Sequence, residues 1–292
     1  MELRQLKYFI KAKELLNFTA AASTLHISQS TLSQQIKQLE IELDVPLFER
    51  IGKRIQLTEA GNLFYDYAIQ SVQSATSGFL LLRDLNNLEA GVLKIGATYG
   101  LKHVLVKTVT HFLKLHPKIK LQILYGTSDE LVNKLDNFKL DFILSFQGFE
   151  VSKKHIYQTL FVSEMVLIGA ENSFLKDLKN ISLKELVKLP LALPSIGFST
   201  RKHFSSIVDK NKLILDVSLE VNDIPMLLDI IKTGTHYTVL AKTTVQDVGF
   251  IKAIPIIAPK IVRKGMLISV KGVYEKKAVK EFHKIINKMM NP

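Results

Sequence analysis

Apolar positions near the start of the chain recur at helical spacing. Leu32, Ile36, Leu39 and Leu43 fall at i, i+4, i+7 and i+11 and form one apolar stripe. The opposite face carries Ser30, Ser33, Gln34 and Lys37, side chains short enough or amide-bearing enough to reach base edges and phosphates. Ser28 is suited to cap this helix, and Thr19 to cap a shorter one built on Ala20, Ala21 and Ala22, small residues that let a neighbouring helix come close. His26 and Ile27 form the turn between them. The pattern predicts two short helices joined tightly, a helix-turn-helix. An amphipathic helix by itself would imply only a surface helix.

The pattern then changes twice. Arg50, Lys53 and Arg54 surround Gly52 ahead of the strand-like Ile55-Gln56-Leu57, an arrangement for a glycine turn with cations at its tip, able to enter a minor groove. From Thr58, a good N-cap, to about Glu89 no proline interrupts, and Ala68, Val72, Ala75, Phe79, Leu82 and Leu88 recur near helical spacing. Some thirty residues make roughly 45 Å of helix, too long to bury within one small domain, so a partner helix is expected. After Glu89-Ala90-Gly91, strands and helices alternate. Strands are predicted at Val92–Ala97, Lys120–Tyr125, Asp141–Ser145, Met165–Gly169, Leu191–Leu193, Val217–Val221, Thr238–Ala241 and Met266–Val270, with helices Leu101–Leu115 and Asp129–Phe138, the latter capped by Thr127 or Ser128. The alternation predicts mostly parallel sheets in two lobes, in which ligands bind outside the carboxyl ends of the strands.

Composition narrows the function classes. At 292 residues, 47% hydrophobic and 23% charged, the chain is long enough for two globular domains. It has no cysteine, which removes disulfides and thiol chemistry and suits a reducing compartment. No leader pattern opens the chain and no stretch approaches the roughly 20 apolar residues of a spanning helix, so a cytoplasmic protein without a membrane partner is expected. The net charge of +12 is not itself a sign of nucleic acid: residues 1–60 hold eight basic residues against seven acids, a net of +1, whereas residues 260–292 hold nine against two, a net of +7. The lysines of the tail from Glu275 to Met290 fit a solvated helix face. No Gly-x-Ser-x-Gly elbow, phosphate loop or His-Glu-x-x-His occurs, and His111 and His116, five apart, point from different helix faces. Neither an enzyme, a metal site nor a cofactor is expected.

Several segments together resemble the LysR-type transcriptional regulators. Met1-Glu2-Leu3-Arg4-Gln5-Leu6 with Phe9, Asn17-Phe18-Thr19-Ala20-Ala21-Ala22, Ser28-Gln29-Ser30-Thr31-Leu32-Ser33, Leu39-Glu40 with Leu43, Pro46-Leu47-Phe48-Glu49-Arg50 and Leu57-Thr58-Glu59-Ala60-Gly61 stand in that family's order and spacing. The resemblance implies an N-terminal all-α winged helix-turn-helix over residues 1–60, a long linker helix over 61–89, and over 90–292 a two-lobed α/β effector domain like periplasmic binding proteins. Lobe 1 is expected at about 90–161 and 268–292, lobe 2 at about 162–267. It also implies double-stranded promoter DNA, a small polar or anionic effector, a second copy of the chain as dimer or tetramer, and RNA polymerase as partners. DNA contacts are expected from Thr19, Ser28, Gln29, Ser30, Thr31, Ser33, Gln34, Lys37, Arg50, Lys53 and Arg54. Gln34 stands where the family commonly has Arg, which loses the guanine-preferring fork and leaves an A·T-leaning preference open.

Two strand ends suggest the effector site. One is Thr98-Tyr99. The other, Pro194 to Arg201, offers Ser195, Ser199 and Thr200 as caps, Phe198, and Arg201 as an anion holder. Taken singly these are plain capping residues. Their positions match those where LysR-type effector domains place the inducer pocket, with Ser145, Phe146, Gln147, Asn222 and Asp223 on the rim. The Pro190–Arg201 stretch is similar to the subgroup that includes cyanate-operon activators, although Gly234-Thr235-His236-Tyr237 departs from the usual glycine-rich turn. The alternatives are a constitutive DNA-binding regulator without a ligand, a two-lobed solute-binding protein, or an enzyme.

Overall fold

The computed structural model describes residues 1–51, 54–86, 91–148 and 151–290 and divides into two units, Met1–Asn86 and Asn87–Pro292. The first holds helices α1 (Leu3–Leu15), α2 (Phe18–Thr24) and α3 (Gln29–Leu43), an antiparallel pair β1 (Phe48–Ile51) and β2 (Arg54–Leu57), and helix α4 (Glu59–Asn86). Asn17, rather than Thr19, caps α2, its Oδ1 accepting the Ala20 N–H at 3.0 Å; Thr19 lies inside the helix and is exposed. Asn17 is the shorter route to that N–H because its own backbone is extended while Phe18 is already helical. His26 takes the left-handed conformation that the turn requires, with φ of 56°. Ser28 caps α3, accepting the Thr31 N–H at 3.0 Å. The alanines Ala12, Ala21 and Ala22 pack with Leu32 and Ile36, while Leu6, Phe9, Leu39, Leu47 and Ala68 form the adjoining core.

Two polar contacts fix the connection into α4. Glu40 Oε1 accepts the N–H groups of Leu47 and Phe48 at 2.8 and 3.0 Å, and Thr58 Oγ1 donates to Pro46 O at 2.7 Å while capping Gly61 N–H. A Cβ on Gly61 would lie 2.2 Å from Leu47 O, so only glycine lets α4 start against that strand. The 28 residues of α4 extend roughly 42 Å. Its first turns bury Ala68 and pack Phe64, Tyr65 and Val72, whereas Phe79 and Leu82 are 62% and 60% exposed.

The second unit is α/β in two lobes. Its strands are β3 (Gly91–Ala97), β4 (Ile119–Tyr125), β5 (Phe142–Phe146), β6 (His155–Ala170), β7 (Ile181–Ser182), β8 (Leu191–Pro194), β9 (Val217–Val221), β10 (Thr238–Ala241), β11 (Ile251–Ala258) and β12 (Val262–Val270). Its helices are α5 (Lys102–Leu115), α6 (Ser128–Asp136), α7 (Leu183–Leu186), α8 (Ser199–Lys210), α9 (Ile224–Lys232) and α10 (Lys277–Met290). The sheet runs β4-β3-β5-β12-β6-β11-β7, with β10 also on β6, and β8-β9 pair separately. Parallel pairing holds at β3 with β4 and β5, at β8 with β9 and at β7 with β11. The middle is antiparallel: β12 pairs both β5 and β6, and β6 pairs β10 and β11.

The expectation of mostly parallel sheets is therefore corrected. β11 and β12 follow one another in the same direction along β6, both antiparallel to it, β11 against residues 166–170 and β12 against 155–164, with only residues 259–261 between them. The 16-residue β6 and its partner β12 cross from one lobe to the other. In one lobe α5 and α10 pack around Leu93, Ile95, Phe112, Phe142 and Phe282, and α6 packs through Leu131 and Leu135 on Ile143, Met266 and Ile268; in the other, α7, α8 and α9 cover Leu167, Phe204, Ile168 and Leu228. In α10, Val279, Phe282, Ile285 and Ile286 are buried, and Lys280, Lys284 and Lys288 form its exposed face.

Candidate functional site

In the first unit, α3 presents its polar face outward. Gln29, Ser30, Gln34 and Lys37 are exposed and Ser33 is half-buried, its Oγ accepting Gln29 Nε2 at 2.9 Å. Ser28 and Thr31 are exposed but occupied in the cap, their hydroxyls 2.7 Å apart. The β1-β2 register pairs Arg50 with Ile55 and Ile51 with Arg54, which puts both arginine backbones near the hairpin tip. Gly52 and Lys53 lie outside the described residues, as do Leu88 and the Glu89-Ala90 part of the expected boundary; of Arg50 and Arg54 only the backbone is described.

In the second unit, Thr127 caps α6 in a reciprocal box with Glu130, which leaves Ser128 free at the first helical position. Ser128 Oγ lies 3.0 Å from Ser145 Oγ, at the end of β5, and donates to Ser199 Oγ, also at 3.0 Å, at the start of α8. The N-cap of α8 is Phe198, with no side-chain cap; the Ser199 N–H instead donates to Ser128 Oγ at 3.3 Å. Two helix N-termini, one from each lobe, thus converge on three serine hydroxyls. Thr98, 3% exposed, lines a cavity of about 20 Å³ with Ser128, Phe198, Ser199 and Thr200, and its Oγ1 has no partner among the described residues. A cavity of about 610 Å³ opens beside it, walled by Ser128, Asp129, Ser145, Ser199, Lys202, Val132, His155, Tyr157 and Ile268 among others. Lys202 Nζ and Asp129 Oδ2 span its edge at 2.6 Å.

Other expected residues sit elsewhere. Arg201 does not face the cleft: it is buried, its Nη1 donating to Pro194 O at 3.0 Å and to Glu220 Oε1 at 2.6 Å, so the Glu220 carboxylate already holds its charge. Ser195 caps nothing with its side chain; its N–H donates to Val221 O and its carbonyl accepts from Phe198 N–H. Tyr99 packs on the lobe 2 core and lines a separate depression of about 340 Å³ with Lys102, His103 and Asp247. Asn222 is exposed beyond β9, next to Asp223, which caps α9. Gln147 contributes its backbone, the N–H to Lys264 O at 2.9 Å and the carbonyl to Arg263 Nη2 at 2.5 Å.

Arg263 was missed. It is 4% exposed, and its Nη2 also donates to Ser199 Oγ at 3.1 Å, while its Nε has no partner among the described residues. Burial pushes its guanidinium down to about 10, so it remains charged at neutral pH. The signal was the alternation along β12: Ile261, Arg263 and Gly265 are buried while Val262 and Lys264 are exposed, a cation at an inward position hidden inside a basic run.

A winged helix-turn-helix in the same chain as a two-lobed domain with a polar inter-lobe cleft defines a ligand-responsive regulator of transcription. Residues 3–62 match the family described as bacterial regulatory helix-turn-helix protein, lysR family, and residues 86–291 match the LysR substrate binding domain. The chain belongs to the LysR family of transcriptional regulators; it is a DNA-binding regulator with an effector-binding domain, not an enzyme. It is 33% identical over 252 residues to the uncharacterized HTH-type transcriptional regulator YwqM of Bacillus subtilis (strain 168), covering 85% of this chain and 84% of that one. The full-length CbnR structure in complex with its target DNA has a TM-score of 0.65 at 23% identity, covering 99% of both chains. The effector-binding domain of QuiR in complex with shikimate has a TM-score of 0.62 at 20% identity, covering 69% of this chain and 98% of that one. At such identities the two structures show the fold. No helix among the described residues is long and apolar enough to cross a membrane.

Proposed function

We propose that the exposed face of α3, with Gln29, Ser30, Ser33, Gln34 and Lys37, enters a promoter major groove, and that a small polar or anionic molecule binds between the lobes at Thr98, Ser128, Ser145 and Ser199. The observation that carries the second half is the convergence of the α6 and α8 N-termini on one hydroxyl cluster, where the helix dipoles and the hydroxyls favour an anion. CbnR is described with target DNA and QuiR with shikimate, which supports assigning each role to the corresponding unit here. The crossing of β6 and β12 supports a lobe division near residues 161/162 and 267/268. The protein works in the cytoplasm and self-associates as a dimer or tetramer, since the exposed Phe79 and Leu82 on α4 call for a partner and a two-fold DNA site needs two readers. Ligand binding changes how the lobes pack and so how the subunits present their wings, a coupling of about 1 to 3 kcal/mol. Footprinting of the full chain on its own upstream DNA, with and without metabolites that raise its melting temperature, tests this. The expected result is a protected pair of half-sites whose pattern changes with ligand; a stabilising metabolite that leaves the footprint unchanged would overturn the coupling.

A further inference from the structure

Among the described residues, Arg263 is a buried cation without a counter-ion. There its donors reach neutral acceptors, Gln147 O and Ser199 Oγ, its Nε has no partner, and its guanidinium carbon lies 5.7 Å from the Phe146 ring centre. Burial pushes its guanidinium down to about 10, and among the described residues no carboxylate forms an ion pair or hydrogen bond with it. A buried charge is costly unless something pairs with it. This one stands behind Ser199, where the two helix N-termini add further positive potential, and across the hydroxyls from Thr98, whose Oγ1 is equally unpartnered. The large cavity is not uniformly positive. Asp129, next to Ser128, and Asp136, further along α6, line it, held by Lys202 and His155 respectively, beside the apolar Val132 and Ile268.

We propose that Arg263 is the charge that selects the effector, and that the effector is a monocarboxylate bearing hydroxyl or amino donors at its other end. This rests on the cleft being the effector site. Lys202, the other cation at the cavity, is already held by Asp129, so Arg263 and a few hydroxyls match a singly charged oxyanion head; a second anionic group would face Asp129 and Asp136. The 610 Å³ cavity is the size of a small-molecule site and takes the body of the ligand. The head displaces the Ser128–Ser199 contact, since the space beneath Thr98 holds about one water molecule.

The test is thermal stabilisation and calorimetry of the full chain with shikimate and a panel of hydroxy- and amino-monocarboxylates, matched dicarboxylates, the neutral methyl esters, and sodium sulfate and phosphate. A monocarboxylate with donors should stabilise the protein while its ester, the dicarboxylates and the inorganic anions do not. Arg263→Gln should raise the dissociation constant roughly ten- to hundredfold, with Arg263→Lys between, and Asp129→Asn should admit dicarboxylates. If Arg263→Gln folds poorly, the Lys and Asn variants still decide. Equal binding of acid and ester, preference for sulfate or dicarboxylates, or unchanged affinity in the Arg263 variants overturns the inference and leaves the cleft standing. If nothing on the panel binds, Ser199→Phe, which fills the cleft, separates the remaining cases by promoter output in cells. Altered output means a cleft ligand of another class, against the inference; unaltered output removes the cleft site and the inference with it.

Discussion

Ser128 Oγ and Ser199 Oγ meet at 3.0 Å, each on the first residue of a helix and each from a different lobe. The contact exists because Thr127 rather than Ser128 caps α6 and because α8 has no side-chain cap of its own. Each serine is thus free to serve the other lobe.

Removing the Ser128 hydroxyl takes away the acceptor of the Ser199 N–H and deletes one donor from the proposed anion locus, while Ser199 Oγ keeps Phe146 O and Arg263 Nη2. Ser128→Ala should weaken the effector response by about 1 to 3 kcal/mol, read as a right-shifted dose curve in a promoter reporter. Thr98→Val should act in the same direction, because its orphaned Oγ1 gains a partner only when ligand is present. Unshifted curves for both would place the effector elsewhere.

The helix-turn-helix was legible because its signals are local. The stripe through Leu32, Ile36 and Leu39 is buried as its spacing implies, and Ser28 caps α3. The cap of α2 was placed two residues late because Thr19 and Asn17 are both good caps and only backbone conformation separates them. In the second unit, the expected strand Met165–Gly169 is only the last part of the long β6, and β11 has no counterpart in the sequence pattern. Pro255 interrupts β11, and β6 changes its neighbours midway, so its burial pattern changes midway too. The proposed effector locus was half legible as an arrangement: Thr98, Ser145 and Ser199 come together, whereas Arg201 turns to Glu220 and Asn222 to solvent. Nothing local tells Arg201 from Arg263; the side of the strand or helix on which each sits decides which charge the protein neutralises itself.

Gly61 should tolerate no side chain. Leu47 O, 2.2 Å from the position of a Cβ, cannot retreat because it accepts the Thr58 N–H at 3.0 Å. Gly61→Ala should destabilise the first unit by about 3 kcal/mol or more, seen as a lowered melting temperature by circular dichroism and a loss of DNA binding. A wild-type melting temperature would mean the turn between β2 and α4 has slack that these distances do not show.

His203, on α8, should make the second unit acid-sensitive. Burial first, then the charges of Arg263 and Lys210, push its imidazole from 6.5 down to about 4. The unfolded chain gains a proton there as pH falls through 6.5, and the folded chain does not until about 4. The neutral ring's contribution is therefore complete above 6.5, declines between the two values and falls no further below about 4. The melting temperature should drop less steeply across that interval in His203→Gln than in wild type; parallel slopes would rule the ring out.

Gln34 and Lys37 lie on the same exposed face of α3 but do different chemistry. An amide in the major groove offers one donor and one acceptor, a pairing that fits adenine, so its removal should alter which base is preferred at one position in each half-site. The Lys37 ammonium is a point charge suited to phosphate, which is the same beside every base pair. Gln34→Ala should flatten preference at that position by about 1 to 3 kcal/mol, whereas Lys37→Ala should weaken all sequences alike and reduce the salt slope by about one. A selection from randomised duplexes, repeated at two salt concentrations, separates the two effects. If Gln34→Ala selects the wild-type consensus while Lys37→Ala changes it, the helix lies in the groove at a different rotation from the one its exposed face implies.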